Sequence, residues 1–390
     1  MVPNDWSLVE AKDVCKAISV GVVIKPTQYY VSKDEGIKAF RSANVREGFI
    51  NDNDWVYFSK EGHAANKKSS LLAGDVLIVR TGYPGTACVV TPEFEGSNAI
   101  DIVIARPDSN KIIPEYLCAY TNSHIGKSQV LDLQGGLAQK HLNVGAYQVL
   151  KIKLPPLLEQ NKITKILATW DKAISTTEQL LANSQQQKKA LMQQLLTGKK
   201  RLLDSNDVRF SGEWRFITFD DVFKVNNKKS AQVKSSDYLE AGAVPVVDQG
   251  KQLIVGYCNN EERYTDIPVI VFGDHTRCLK WVDFDFCPGA DGTQVLDTKA
   301  GIDKKFGYYS LCFTDIPNLG YSRHMRELKE KDFKVPLDAN EQQKIAAVLS
   351  TADQEITTLQ QKLDALKQEK QALMQQLLTG KRRVKVEEAA

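Results

Sequence analysis

The side chains with most chemical capacity fall into two loops and two short segments. One loop, Gly273-Asp274-His275-Thr276-Arg277-Cys278-Leu279-Lys280, follows the apolar run Val269-Ile270-Val271-Phe272. The other, Arg80-Thr81-Gly82-Tyr83-Pro84-Gly85-Thr86, follows Val76-Leu77-Ile78-Val79 and could present a basic and an aromatic side chain to a partner. Further on lie Gly136-Leu137-Ala138-Gln139-Lys140-His141-Leu142 and Gly320-Tyr321-Ser322-Arg323-His324-Met325. These are donors and acceptors for gripping polar groups. They do not form a catalytic set: His275 beside Asp274 lacks a positioned nucleophile, and no glycine fingerprint for a nucleotide cofactor is present. The odd number of cysteines, with no CxxC pair, fits reduced thiols in a cytoplasmic protein, and His275, Cys278 and Cys287 do not amount to a metal site.

The elements that must position these loops are dominated by a repeat. Residues 159–201 recur at 341–383 with a constant shift of 182 and no gap, giving 24 identities over 43 positions, including an unbroken ALMQQLLTGK. In the second copy Ile345, Leu349, Ala352, Ile356, Leu359, Leu363, Leu366, Leu373 and Leu377 fall at alternating steps of three and four, a sustained heptad seam. The first copy keeps the register, with Thr177, Ser184 and Lys188 as polar interruptions. Each copy opens after proline with Glu in its first turn and stops at Gly198 or Gly380 before basic residues, proper helix start and stop signals. Two helices of about 40 residues, on the order of 60 Å long at 1.5 Å per residue, should pair. Near their ends Leu191, Met192, Leu195 and Leu196, and likewise Leu373, Met374, Leu377 and Leu378, make a face wider than a two-helix seam needs. That width points to another protein docking there.

Two divergent segments, 1–153 and 212–334, each precede one helical segment, 154–201 and 335–384, and a short linker, 202–211, joins the first helix to the second segment. Runs such as Val20 to Ile24, Val76 to Val79, Ala87 to Val90 and Ile100 to Ala105, broken by Gly, Pro and Asn, imply a strand-rich α+β domain with one helix candidate, Pro114 to Tyr120. The second segment echoes the first weakly in the same order: Trp6 with Asp13-Val14-Cys15 against Trp214 with Asp221-Val222-Phe223. The chain is therefore a tandem duplication whose helices stayed alike while its globular parts diverged. At 390 residues with 25% charged and 42% hydrophobic residues it has the composition of a soluble protein, with no apolar run of transmembrane length and no signal peptide. A net charge of +3 makes any nucleic-acid surface local.

The paired openings Leu154-Pro155-Pro156 to Ile163 and Val335-Pro336-Leu337 to Ile345, the two ALMQQLLTGK ends, the strand Gly74-Asp75-Val76-Leu77-Ile78 and the loop Phe272-Gly273-Asp274-His275-Thr276-Arg277 together resemble the DNA-specificity subunits of type I restriction-modification systems, over essentially the full length. The resemblance implies two α+β target recognition domains separated by two long antiparallel coiled-coil helices. Each domain would read one half of a bipartite, asymmetric double-stranded DNA site, with the helices setting the spacing and docking two methyltransferase subunits. Restriction and translocase subunits would join through the complex. It implies no catalysis, cofactor or membrane for this chain itself. Base edges are met best by Arg, Lys, Asn and Gln, and phosphates by basic groups, hydroxyls and free amides. The candidate contacts are therefore Arg80, Thr81, Tyr83, Gln139, Lys140 and His141 in the first domain, and His275, Thr276, Arg277, Lys280, Ser322, Arg323 and His324 in the second. The first loop carries Arg80-Thr81-Gly82 where the second has His275-Thr276-Arg277, so the two half-sites should differ. A coiled-coil scaffold without DNA readout, or an enzyme with its site in the second segment, are the competing readings.

Overall fold

The structure, a computed structural model, describes residues 3–133, 141–318, 320 and 322–385. It divides into two compact units, Met1–Glu178 with Lys362–Ala390, and Gln179–Gln361. Each unit contains a globular part and a portion of both long helices.

In the first unit the central sheet is antiparallel, in the order Cys15–Val20, Ile102–Pro107, Val76–Val79, Ala87–Val89. All four residues of Val76–Val79 are buried, because the sheet is covered on both faces. Val76 and Ile78 pack with the helix Pro114–Asn122 and with Ile163, Leu167, Leu377 and Leu378 of the long helices. Leu77 and Val79 face Phe40, Val45 and Phe94 around a second, smaller sheet. Two expectations are corrected here. The strand expected through Ile24 ends at Val20: a Cβ on Gly21 would lie 2.2 Å from the Ala99 carbonyl oxygen, so only glycine passes, and Val23 and Ile24 then turn out into solvent. The helix at Pro114 is followed by another, His124–Leu133, whose apolar periodicity is too weak to read from sequence. Between them Ser123 closes one helix and opens the next, its hydroxyl donating to Tyr120 O and accepting from Gly126 N.

The second unit repeats the plan with the antiparallel sheet Phe223–Val225, Thr293–Thr298, Val269–Gly273, Leu279–Val282. Ile270 and Phe272 pack on Phe306 and Tyr309 of the helix Lys304–Phe313 and on Leu195, Leu196, Ile345 and Leu349 of the long helices.

The long helices, Leu157–Leu195 and Ala339–Leu377, pair antiparallel: partners fall along one helix as they rise along the other. Lys370 reaches Asp171 and Lys367 lies 2.8 Å from Glu178 in the first unit; Ser184 donates to Glu355 (3.0 Å) and Lys188 to Asp353 (2.5 Å) in the second. Two of the polar interruptions of the seam, Ser184 and Lys188, are therefore pairing residues, while the Thr177 hydroxyl donates to Ala173 O of its own helix. Both helices start slightly inside the expected 154 and 335 boundaries because Lys151–Leu154 and Asp332–Pro336 finish as strands, paired with Ser7–Glu10 and Trp214–Thr218.

The same clasp closes both units. Glu159, buried in the first turn of the first long helix, accepts from Trp6 Nε1 (2.9 Å) and from Arg383 Nε and Nη2 (both 2.8 Å), the arginine lying just beyond the end of the second. Glu341 accepts from Arg201 Nε (2.5 Å) and Nη2 (2.7 Å) and from Trp214 Nε1 (3.3 Å). Each guanidinium lies 5.6 Å from its tryptophan ring centroid. The next residues, Gln160 and Gln342, donate to Pro155 O (2.8 Å) and Pro336 O (2.9 Å) and accept from Ile113 N (2.9 Å) and Asp303 N (2.7 Å). Gly198 and Gly380, at φ 68° and 74°, supply the left-handed turn that brings each arginine back.

Only the glutamate of this pair is buried; Arg383 is exposed and also meets Asp5. Arg383→Met, which leaves the buried Glu159 carboxylate short of donors, is expected to lower stability by about 1–3 kcal/mol, and Glu159→Leu in the same chain to recover part of it. Urea unfolding of the three proteins checks this; equal stability of the wild type and Arg383→Met would remove the clasp from the account.

Candidate nucleic-acid interface

The candidate loops gather at one end of each central sheet. In the first unit this end is made by the turn after Val20, the turn at Asp101 before Ile102, the loop after Val79, and His141-Leu142. Leu142 N donates to Arg80 O (3.0 Å) and Asp101 N to Val22 O (3.1 Å), so the four pieces are tied by backbone. In the second unit Asp274 takes the place of Arg80: His324 N donates to Asp274 O (2.8 Å), and the short helix Met325–Lys329 follows as Val144–Gln148 follows Leu142. These hydrogen bonds set Leu142 and His324 at matching places in the two units.

Several candidates prove to be internal. The Arg80 guanidinium, 8% exposed, donates to Leu142 O (3.0 Å), pairs with Asp101 and meets His141 Nε2, so it braces the loop instead of reaching out. His324 is fully buried with Nδ1 donating to Asp274 O (2.8 Å). Lys280 is buried and donates to Asp248 O (2.7 Å); desolvation lowers its pKa, and Asp248 opposes that. For these three the competing role of fold-internal hydrogen bonding, open in any loop residue, is the one the geometry supports.

Others face outward. Thr81 is exposed and Tyr83 is 83% exposed at the loop tip, between Gly82 and Gly85 at φ 85° and 84°. His141 is half-buried, while Gln139 and Lys140 lie outside the described residues. Thr276 and Arg323 are exposed; His275 and Ser322 are half-buried and joined, His275 Nδ1 donating to Ser322 O (3.2 Å). Arg277 is half-buried, at φ 60°, with Nη1 donating to Ile316 O (2.8 Å).

Sequence reasoning missed Gln249, Lys251 and Gln252. The Gln249 side chain accepts from His275 N (3.1 Å) and donates to Asp291 O (2.8 Å), and its carbonyl accepts from the Thr276 hydroxyl. Lys251 and Gln252 stand exposed beside it. The run Asp248-Gln249-Gly250-Lys251-Gln252 after Val244–Val247 carried the signal, polar side chains at a glycine-broken strand end.

Of the expected partner face, four leucines are buried: Leu195 and Leu196 in one core with Phe219, Val222 and Phe333, and Leu377 and Leu378 in the other with Trp6, Ala11 and Tyr116. Leu191, Met192, Leu373 and Met374 are half-buried at the edges of the same cores. Part of the width of the apolar face therefore serves the chain's own globular parts.

Two equivalent units, each presenting loops from one sheet end and joined through paired long helices, define a duplicated recognition protein with no assembled catalytic group among the candidates. The type I restriction modification DNA specificity domain matches residues 3–183 and 211–368, and the chain belongs to that family, whose members supply specificity and not catalysis. A Methanocaldococcus jannaschii protein named for the MjaX specificity subunit of a type I restriction enzyme is 27% identical over 417 residues, covering 98% of this chain and 95% of its own. The Escherichia coli EcoR124I/EcoR124II specificity subunit is 36% identical over 90 residues, 22% of this chain and 21% of its own. The fold is similar to the crystal structure of a type I restriction-modification S subunit from M. genitalium, with TM-score 0.62 and 14% identity over 96% of this chain and 97% of that one. Among the described residues no helix is long and apolar enough to cross a membrane.

Two substitutions separate bracing from reading. Arg80→Ala should destabilise the first unit by about 1.5–3 kcal/mol, the worth of charge-assisted hydrogen bonds, whereas Arg323→Ala should stay within about 0.5 kcal/mol, as at ordinary surface sites. Urea midpoints measure both, and a silent Arg80→Ala would return that side chain to the interface.

Proposed function

We propose that the chain is the DNA-reading subunit of a type I restriction-modification complex in the cytoplasm, with segments 1–153 and 212–334 each reading one half of a bipartite, asymmetric site. The carrying observation is that equivalent sheet ends, closed by the same backbone bond at Arg80 and Asp274, expose unlike side chains: Thr81 and Tyr83 in the first, Thr276 and Arg323 in the second. A common frame with different loops is what two independent half-sites require. Thr276, Arg323, Lys251 and Gln252, with half-buried His275, Ser322 and Arg277, supply donors for base edges and phosphates in the second half; Thr81, Tyr83 and His141, with Gln139 and Lys140, serve the first.

The long helices set the distance between the half-sites, and two methyltransferase subunits dock on the chain, with restriction and translocase subunits joining through them. Because Leu195, Leu196, Leu377 and Leu378 are buried, docking uses the outward polar faces of the helices and not their leucine ends. The clasps at Glu159 and Glu341 bind each helix to the end of the other, so one helix cannot be lengthened alone.

Exchanging residues 212–334 for those of a relative should change one half of the methylated sequence and leave the other, as methylome sequencing would show; a change in both halves refutes independent reading. Adding one heptad after Glu178 and one after Gln361 keeps the seam and lengthens both helices by roughly 10 Å at 1.5 Å per residue. The preferred gap should then grow by about three base pairs at 3.4 Å each. Methylation of duplexes with graded gaps reads this out, and an unchanged gap with activity retained assigns the spacing elsewhere.

A further inference from the structure

The internal role of Arg80 leaves the first unit without its most obvious base-reading group, while three apolar side chains stand exposed on the neighbouring loops. Tyr83 is 83% exposed, Ile24 79% and Val23 50%, on the two loops that flank Asp101. Single exposed apolar side chains are ordinary; these three share one frame. Asp101 N donates to Val22 O, and the Asp101 carboxylate pairs with Arg80 at the base of the Tyr83 loop. The loop is pinned: Gly85 N donates to Val79 O (3.0 Å), Thr86 N to Tyr83 O (3.2 Å), and a Cβ on Gly85 would stand 3.3 Å from Val130. Counted on from the matching strand ends, the second unit has Ser230, buried Ala231 and Arg277 at these places, so it exposes no such apolar group there.

We infer that the first unit reads its half-site by apolar contact, with Val23, Ile24 and Tyr83 packing on thymine 5-methyl groups in the major groove, while the second reads by hydrogen bonds. The choice of ligand follows from DNA itself. Among unmodified base edges in the major groove the thymine methyl is the apolar feature, the rest being donors and acceptors. A rigid aliphatic and aromatic surface gains there and loses wherever it covers a polar edge it cannot satisfy. This rests on the DNA-reading function proposed above and specifies which bases the first unit requires.

The test uses the full chain with its methyltransferase subunits and duplexes of the natural target. The half-site of the first unit is the half that persists when residues 212–334 are exchanged. Replacing its thymines by deoxyuridine removes only the methyl groups, and should weaken binding roughly fourfold for each contacted thymine. 5-Bromodeoxyuridine, which restores a group of similar size, should restore affinity, and the same replacements in the other half should have little effect. In Val23→Ser/Ile24→Ser/Tyr83→Ser, whose altered side chains are solvent-exposed and so should leave folding intact, thymine and uracil should bind alike. Full affinity for uracil in the first half, or a first half-site with no thymine on either strand, overturns the inference while leaving DNA reading in place. Absence of sequence-specific binding to any duplex overturns both.

Discussion

Two buried carboxylates hold this molecule in register. Glu159 and Glu341 begin the long helices, and burying either would be prohibitive without a partner. The partners come from far along the chain, Arg383 being 224 residues from Glu159 and Arg201 140 residues before Glu341. Each charge is met only when a helix start, a returning helix end and an edge strand carrying Trp6 or Trp214 meet at one point. The two parallel bonds from Nε and Nη2, and the tryptophan ring beside the guanidinium, demand arginine geometry that lysine cannot supply. Isolated, such a pair adds little net stability; its weight lies in the cost of every arrangement that leaves it incomplete.

With the base of each unit held this way, the opposite end of the sheet is free to differ. The same backbone bond, from Leu142 N to Arg80 O or from His324 N to Asp274 O, closes the end in both units. The side chains at that bond have opposite charge. Arg80 turns inward to Asp101 and Leu142, while Asp274 accepts from Met325 N at the start of a short helix. The frame tolerates the reversal because each side chain finds its partners at the same sheet end, Arg80 in Asp101 and Leu142 O, Asp274 in Met325 N.

The middle of the helix pair solves a related problem. Thr177, Ser184 and Lys188 weaken the first seam as a hydrophobic stripe, yet Ser184 meets Glu355 and Lys188 meets Asp353 across it. Polar groups at seam positions are costly in wrong registers and satisfied in one, which specifies alignment at some expense of stability. Asp353 also accepts from the Tyr309 hydroxyl (2.7 Å), so the same carboxylate fastens the helix Lys304–Phe313 to the seam.

The duplication, the two long helices, their start and stop signals and the strand-rich character of the segments between them were all legible in the sequence, because heptad spacing, proline and glycine act locally and both copies say the same thing. The members of the clasp, Glu159 and Arg201, Glu341 and Arg383, recur at the constant shift and read from sequence only as helix start and stop signals; that each glutamate takes the other repeat's arginine emerged with the fold. Tertiary structure alone decided which face of a side chain meets protein. Leu195, Leu196, Leu377 and Leu378 look like a spare apolar surface until the globular parts fold onto them, and Arg80 looks like a free basic group until Asp101 and Leu142 arrive from residues far along the chain. Ile24 reads as strand until the close approach of Ala99 to Gly21 turns it outward. Residue type and spacing govern what an element is; burial and hydrogen-bond partners depend on contacts between distant segments, and those exist only once the chain has folded.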